Sequence, residues 1–349
     1  MSDGKTQRVA VLGASGYAGC ELVRLLAGHS AVRLCVLTAE RHAGQAIGEV
    51  FPHLGRLSLP VMVSLETVNW YSLDFVFCAL PHGMTQEVVA TLPGHLKVID
   101  LSADLRFADV ETYAQWYGQR HKAPELQKEV VYGLSELARP SIRTARVVAC
   151  PGCYPTSVQL PLVPLLAAGL IAAEGIVIDA KSGVSGAGRV VKEESLFCEV
   201  TDGLHAYSIA HHRHAPEIEQ GLSLAAGRPI TVTFTPHLVP MSRGILSTLY
   251  VRLTGKTTAA DLRNTLAKYY AGEAFVRVVP EGIVPHTHHV RGSNFCLIGV
   301  FADRVPGQAI LCTVLDNLLK GAAGQAVQNF NLMTDQPEIL GLEQQPLFP

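Results

Sequence analysis

A short apolar run, Arg8 to Leu12, hands over to Gly13-Ala14-Ser15-Gly16-Tyr17-Ala18-Gly19 and then to Glu21–Leu26, whose apolar residues have helical spacing. A strand, a glycine-rich turn and a helix in that order open a parallel βαβ unit of the dinucleotide-binding kind. The glycines let backbone approach a pyrophosphate that rests on the helix N-terminus. The spacing is G-x-x-G-x-x-G rather than G-x-G-x-x-G, so taken alone it equally describes a tight βα turn in any doubly wound fold. No Gly-Lys-Ser/Thr follows, which excludes a P-loop.

Arg33 to Leu37 reads as the next strand and ends in Thr38-Ala39-Glu40-Arg41. A carboxylate at this point usually bonds the ribose 2′-hydroxyl of NAD, whereas an arginine accommodates the 2′-phosphate of NADP. Glu40 and Arg41 leave both open, and Arg41 with the Thr38 hydroxyl tilts the reading toward NADP. Asp74 to Gly83 and Lys97 to Arg106 read as further buried strands ending in loops, where ligands of such sheets sit. Arg106, beside Ser102 and Asp104, suits an anionic substrate or, equally, a surface ion pair.

Another apolar run, Val147 to Ala149, precedes Cys150-Pro151-Gly152-Cys153-Tyr154-Pro155-Thr156 and a helix-compatible stretch. Pro and Gly force a tight turn that would set Cys153 near a helix N-terminus, where unpaired N–H groups and the helix dipole stabilise a thiolate. Cys153 is therefore the candidate nucleophile. The remaining cysteines, at 20, 35, 78, 198, 296 and 312, are scattered singly, so a zinc site lacks its second pair. A thioredoxin-like redox pair would belong near the start of a small domain, and two buried cysteines in a turn are the plain alternative.

Beyond Cys153 the pattern changes. Ile176–Ala180, Ile230–Thr235, Ile245–Leu253, Phe275–Val279 and Asn294–Ala302 are strand-like, several with alternating polarity, and predict a mostly antiparallel sheet. Between them lie a flexible loop, Lys181–Arg189, suited to close approach to a ligand, and the histidine-rich segment His211–Glu219. Asp316–Leu332 has apolar residues at helical spacing and is expected to pack back on the first domain. The fold class is α/β: a Rossmann-type dinucleotide-binding domain over residues 1–152, completed by 316–349, plus an α+β catalytic and oligomerisation domain over 153–315. A length of 349 residues has room for two such cores.

Composition narrows the partners. A net charge of −2 without a basic run offers nucleic acid no footprint. The most apolar stretch, Leu160–Ala173, is too short for a membrane and is broken by Pro161, Pro164 and Gly169. Polar Met1–Gln7 runs straight into a strand, unlike a signal peptide, so a cytoplasmic protein with reduced thiols is expected. His211, His212 and His214 crowd together, as do His286, His288 and His289, but neither group has the i, i+4 spacing of a helical metal site, and no metal is expected. A histidine serving Cys153 as acid/base is the better use, because acyl transfer on a thiol needs a proton shuttle with a pKa near neutral.

Gly13–Gly19, Leu101–Arg106, Cys150–Thr156, Ser182–Arg189, His212–Glu219, Pro240–Ile245, Gly292–Asn294 and Asp316–Gly324, taken in this order, resemble the N-acetyl-gamma-glutamyl-phosphate reductase family over essentially the whole chain. That family is similar in fold to aspartate-semialdehyde dehydrogenase and glyceraldehyde-3-phosphate dehydrogenase. The resemblance implies that Cys153 attacks the acyl phosphate and that hydride from NADPH reduces the thioester, with His212 as acid/base. It further implies a substrate pocket of Arg106, Ser182 and Glu217; the His-x-His spacing, which sets two imidazoles within one turn of chain, makes His214 the fallback base and a further pocket candidate. Gly13, Ser15, Gly16, Tyr17 and Gly19 would hold the pyrophosphate, and Ser185, Gly186 and Asn317 would line the nicotinamide end. A small-molecule substrate and a homo-oligomer, dimer or tetramer, are expected. His211 is an extra histidine beside the motif. Two other readings are the same chemistry on a longer chain, an N-acetyl-aminoadipyl-phosphate reductase, and a non-catalytic nucleotide-sensing protein with a structural Cys153.

Overall fold

Strands buried on both faces become continuous apolar runs, and those runs build the first of two compact units. A computed structural model describes residues 6–349; one unit takes them up to Pro151 and again over Ala322–Glu343, the other takes Gly152–Gly321 and Gln344–Pro349. The return to the first unit comes at Ala322, after the expected Asp316. Asp316 stays with the second unit because its buried carboxylate accepts from the amides of Gly292, Leu318 and Leu319. The final residues stay there too, with the Leu347 amide donating to the Arg291 carbonyl and the Leu347 side chain against Gly292.

In the first unit β1 (Gln7–Leu12), β2 (Val32–Thr38), β3 (Phe75–Cys78), β4 (Lys97–Asp100), β5 (Val130–Tyr132) and β6 (Val147–Ala149) pair in the order β2-β1-β3-β4-β6-β5, every pairing parallel. All of β3 and β6 and most of β1 are buried, as a sheet covered on both faces requires. The helix Tyr17–Leu26 covers it with Leu22, Val23, Leu25 and Leu26. The segment expected to be helical from Asp316 begins as a π turn, Leu319–Ala323, and continues as the helix Gly324–Met333, every residue of which is buried. Most of its polar side chains are spent internally, Gln328 on Glu136 among them. Asn329 accepts from the Ser135 hydroxyl and donates to the Gly133 carbonyl, and Asn331 bonds His29 and the Leu340 carbonyl. Phe330 lies between, with ring centroids 4.8 Å from Phe75 and 5.8 Å from Phe77.

In the second unit β7 (Val177–Gly183), β8 (His205–Ala206), β9 (Thr233–Val239), β10 (Ile245–Arg252), β11 (Val276–Val278), β12 (Cys296–Ala302) and β13 (Gln308–Leu315) pair in the order β11-β12-β13-β10-β7-β9-β8. The pairings β11 with β12 and β7 with β9 are parallel and the rest antiparallel, so the sheet is mixed and mostly antiparallel. Strict alternation of buried and half-buried residues along β10 shows one face against helices and the other more open. The helix Cys153–Ala167 is buried nearly all round and runs through Pro161 and Pro164. Proline at 164 leaves the Leu160 carbonyl without its helical donor, and the Tyr270 hydroxyl supplies one at 2.5 Å. Among the described residues, no helix is long and apolar enough to cross a membrane.

Candidate active site

After β6 the chain turns through Cys150, Pro151 and Gly152, and Cys153 is the first residue of its helix. Gly152 caps that helix in an extended conformation with no side-chain cap, so the positive end of the dipole falls on the thiol. The Gly152 amide donates to Glu217 Oε1 at 2.8 Å, which fixes the turn against the first turn of the helix His214–Ala226. Gly321 closes the other side: a Cβ there would lie 2.7 Å from the Cys153 Cβ, so only glycine leaves the cysteine side chain its place. No sequence rule singled out Gly321, because its role is set by a neighbour far along the chain.

Around the same turn the chain gathers an aromatic and imidazole cluster. His212 lies with ring centroids 5.7 Å from Tyr154, 5.4 Å from Tyr207, 5.4 Å from Phe234 and 4.8 Å from His214. Burial in this cage, with Arg213 adding to it, pushes the His212 pKa down to about 4. The backbone amide of His214 donates to His212 Nδ1 at 3.0 Å. His211 is exposed, outside the cage. Tyr207, which the sequence reading passed over, donates its hydroxyl to that of Tyr154 at 3.3 Å, and burial raises its pKa to about 12. Its only local signal was a tyrosine just before the histidine run.

Ser182, at the end of β7, also bonds the Tyr154 hydroxyl and so ties this cluster to the next group. Asn317 donates to Ser185 Oγ at 2.9 Å and accepts from the Gly244 amide at 2.8 Å. A Cβ on Gly186 would sit 2.9 Å from Ser182 Oγ, so Ser182, Ser185, Gly186 and Asn317 form one close-packed polar corner. His286, His288 and His289 group elsewhere, around Phe348. Among the described residues, no group of three or more His, Cys, Asp or Glu is placed to hold a metal ion.

The first unit holds the remaining candidates. Gly13 has φ +77°, and a Cβ there would stand 2.4 Å from the Ala79 carbonyl oxygen; one on Gly19 would stand 2.2 Å from the Gly13 oxygen. Gly16 caps the helix Tyr17–Leu26 with no side-chain cap, and Ser15, Gly16 and Tyr17 are partly or fully exposed. This bare helix N-terminus behind a glycine loop fits a dinucleotide pyrophosphate. Thr38 is buried and its Oγ1 accepts from the Gly13 amide at 3.3 Å, so it braces the loop from within. Glu40 is occupied by the Leu65 amide at 3.1 Å, whereas Arg41 is exposed. Arg106 is buried, with Nε and Nη2 donating to the carbonyls of Cys150 and Leu101 at 2.9 and 3.0 Å; it braces the ends of β6 and β4. Asp104 does not pair with it but accepts from the Gly83 and Thr85 amides and lies 2.6 Å from His82 Nδ1.

Comparison with known proteins gives this arrangement a lineage. Residues 8–145 match the semialdehyde dehydrogenase NAD binding domain and residues 153–317 the semialdehyde dehydrogenase dimerisation domain. The N-acetyl-gamma-glutamyl-phosphate reductase of Rhodospirillum rubrum is 64% identical over 98% of this chain and 98% of its own length. A probable chloroplastic N-acetyl-gamma-glutamyl-phosphate reductase of Oryza sativa subsp. japonica is 56% identical over 100% of this chain and 84% of its own. The crystal structure of aspartate semialdehyde dehydrogenase II from Vibrio cholerae shares the fold with a TM-score of 0.74 at 17% identity, over 95% of this chain and 99% of that one. A cysteine on a helix N-terminus in one unit, a glycine-lined dinucleotide cradle in the other and whole-chain identity of this depth place the chain in the N-acetyl-gamma-glutamyl-phosphate reductase family, built on the semialdehyde dehydrogenase fold.

Proposed function

We propose that the protein reduces N-acetyl-glutamyl 5-phosphate to N-acetyl-glutamate 5-semialdehyde and phosphate with NADPH, a step of arginine biosynthesis. The observation that carries this reading is Cys153 at the start of its helix, fixed by the Glu217–Gly152 bond and given room by Gly321. The thiolate attacks the acyl carbon, the carbon–oxygen bond to phosphate breaks, and a thioester remains on Cys153. The Gly13–Gly19 loop would hold NADPH, with exposed Arg41 the candidate for its 2′-phosphate, and the cofactor would supply the hydride. The resulting alkoxide collapses to aldehyde and returns the thiolate to Cys153. His212 acts on the substrate oxygen, and Ser182, Glu217 and His214 shape the pocket. Arg106 supports it by holding the strand ends.

The dimerisation-domain match and the half-buried open face of β10 support a homo-oligomer. The test is phosphate-dependent reduction of NADP with N-acetyl-glutamate semialdehyde and with its one-methylene-longer homologue. Turnover should favour the shorter substrate and vanish in Cys153→Ser while NADPH binding persists. Preference for the longer substrate would assign the aminoadipyl reaction, and alkylation of Cys153 unprotected by acyl phosphate would point to a nucleotide sensor.

A further inference from the structure

We infer that His212 serves this site as a neutral hydrogen-bond donor through Nε2, fixed in that tautomer by the His214 backbone amide, with Tyr207 as a positioning residue that walls the ring in. The inference rests on the reading of Cys153 and His212 as partners in the chemistry, and it changes what the histidine does.

A backbone amide can only donate, so the lone pair of His212 Nδ1 is taken up by the His214 N–H at 3.0 Å. A neutral ring with Nδ1 as acceptor carries its proton on Nε2. To become an imidazolium the ring would have to protonate Nδ1 as well, setting two N–H groups head to head and losing that bond. The surroundings oppose the same step. Tyr154 faces the ring from the Cys153–Ala167 helix, Phe234 from β9, Tyr207 from the loop after β8, and His214 from its own segment. The charged neighbour that acts on it is the cation Arg213, and the carboxylate of Glu217, on the helix that His214 begins, is directed to the Gly152 amide. Desolvation and a like charge both favour the neutral ring.

A thiolate–imidazolium pair is then not the resting state. The helix N-terminus stabilises the thiolate of Cys153, and His212 offers Nε2–H to the oxygen that gains negative charge when the thiolate adds to the acyl carbon. After hydride addition the same N–H steadies the alkoxide, and no proton need leave the ring. Tyr207 is held for this role at both ends. Its amide donates to the Pro236 carbonyl and its hydroxyl to Tyr154. Ser208 and Ala210, just beyond it, take left-handed φ values of 46° and 60° that non-glycine residues rarely adopt, so the loop is held against local preference.

The experiment compares the wild type with His212→Asn, His212→Ala and Tyr207→Ala. It reads the pH dependence of Cys153 alkylation by iodoacetamide, kcat, and 15N NMR of histidine-labelled protein. Asparagine keeps an N–H donor without a titratable ring. His212→Asn should leave the apparent thiol pKa where it is and retain roughly tenfold more kcat than His212→Ala, whose loss should be on the order of 10²-fold. The 15N signals that vanish in His212→Asn should report a protonated Nε2 and a bare Nδ1 at pH 7. Tyr207→Ala should open the cage and raise the titration midpoint of those signals toward about 6.5. A thiol pKa that climbs toward about 8.5 in His212→Asn, or a proton found on Nδ1, overturns the donor role yet leaves His212 in the chemistry. Normal turnover in His212→Ala removes the underlying assignment itself.

Discussion

Single atoms decide how Cys153 is seated. A methyl group at Gly321 must displace the cysteine side chain or the π turn, since its nearest neighbour would be 2.7 Å away. Gly321→Ala should therefore lower kcat and the alkylation rate of Cys153 by on the order of 10²-fold with the fold intact by circular dichroism. A variant that alkylates at the wild-type rate would show that the turn yields freely. Titration offers a second check. The pKa of His212 falls from 6.5 to about 4, so between those values the unfolded chain binds more protons and stability rises with pH, by on the order of 3 kcal/mol in all. Asp100, buried and raised to about 7, has the opposite sign: the folded state holds its proton longer, and stability falls as pH rises from about 4 to 7. The two slopes oppose, so the wild-type Tm should change little between pH 4 and 6.5, while His212→Asn should leave the downward slope of Asp100 exposed. Parallel Tm curves for the two proteins would refute this balance.

At the scale of elements, the Cys153–Ala167 helix survives two prolines because its neighbours replace what they remove. Tyr270→Phe deletes the hydroxyl on the Leu160 carbonyl and should cost about 1–3 kcal/mol in urea melts. A change within about 0.5 kcal/mol would mean that carbonyl is satisfied some other way. Strands with both faces buried were legible in the sequence, since β1, β3, β4 and β6 each hold a short apolar stretch with a loop behind it. β13 was not, because Ala309 to Leu319 is nearly continuous apolar sequence in which a strand, a buried Asp316 and a π turn follow one another without a breaker. The helices His214–Ala226 and Ala259–Tyr269 were also passed over, the first because its opening reads as chemistry, the second because Leu262, Leu266 and the Thr258–Asp261 cap are its whole signal. In the candidate site, the place of Cys153 at the start of a helix was legible from strand, turn and helix order. The inward aim of Thr38 and Arg106 was not, because motif spacing carries no side-chain direction and the Gly13 amide and the Cys150 and Leu101 carbonyls decide it.

The whole molecule is threaded so that the first unit is completed by one of the last segments of the chain. Phe330 is fully buried against Phe75 and Phe77, and Phe330→Ala should destabilise that unit by about 3–5 kcal/mol. Limited proteolysis should then cut within residues 6–151 first; cleavage confined to the second unit would argue that the helix Gly324–Met333 is dispensable there. The same threading has a consequence during synthesis. A ribosome that has finished β6 must still make the whole second unit before that helix emerges, roughly ten to thirty seconds at about 5–20 residues per second. Throughout that interval the aromatic faces of Phe75 and Phe77 lack their cover, so the first unit stays unfinished, with apolar surface open, until almost the whole chain has been made.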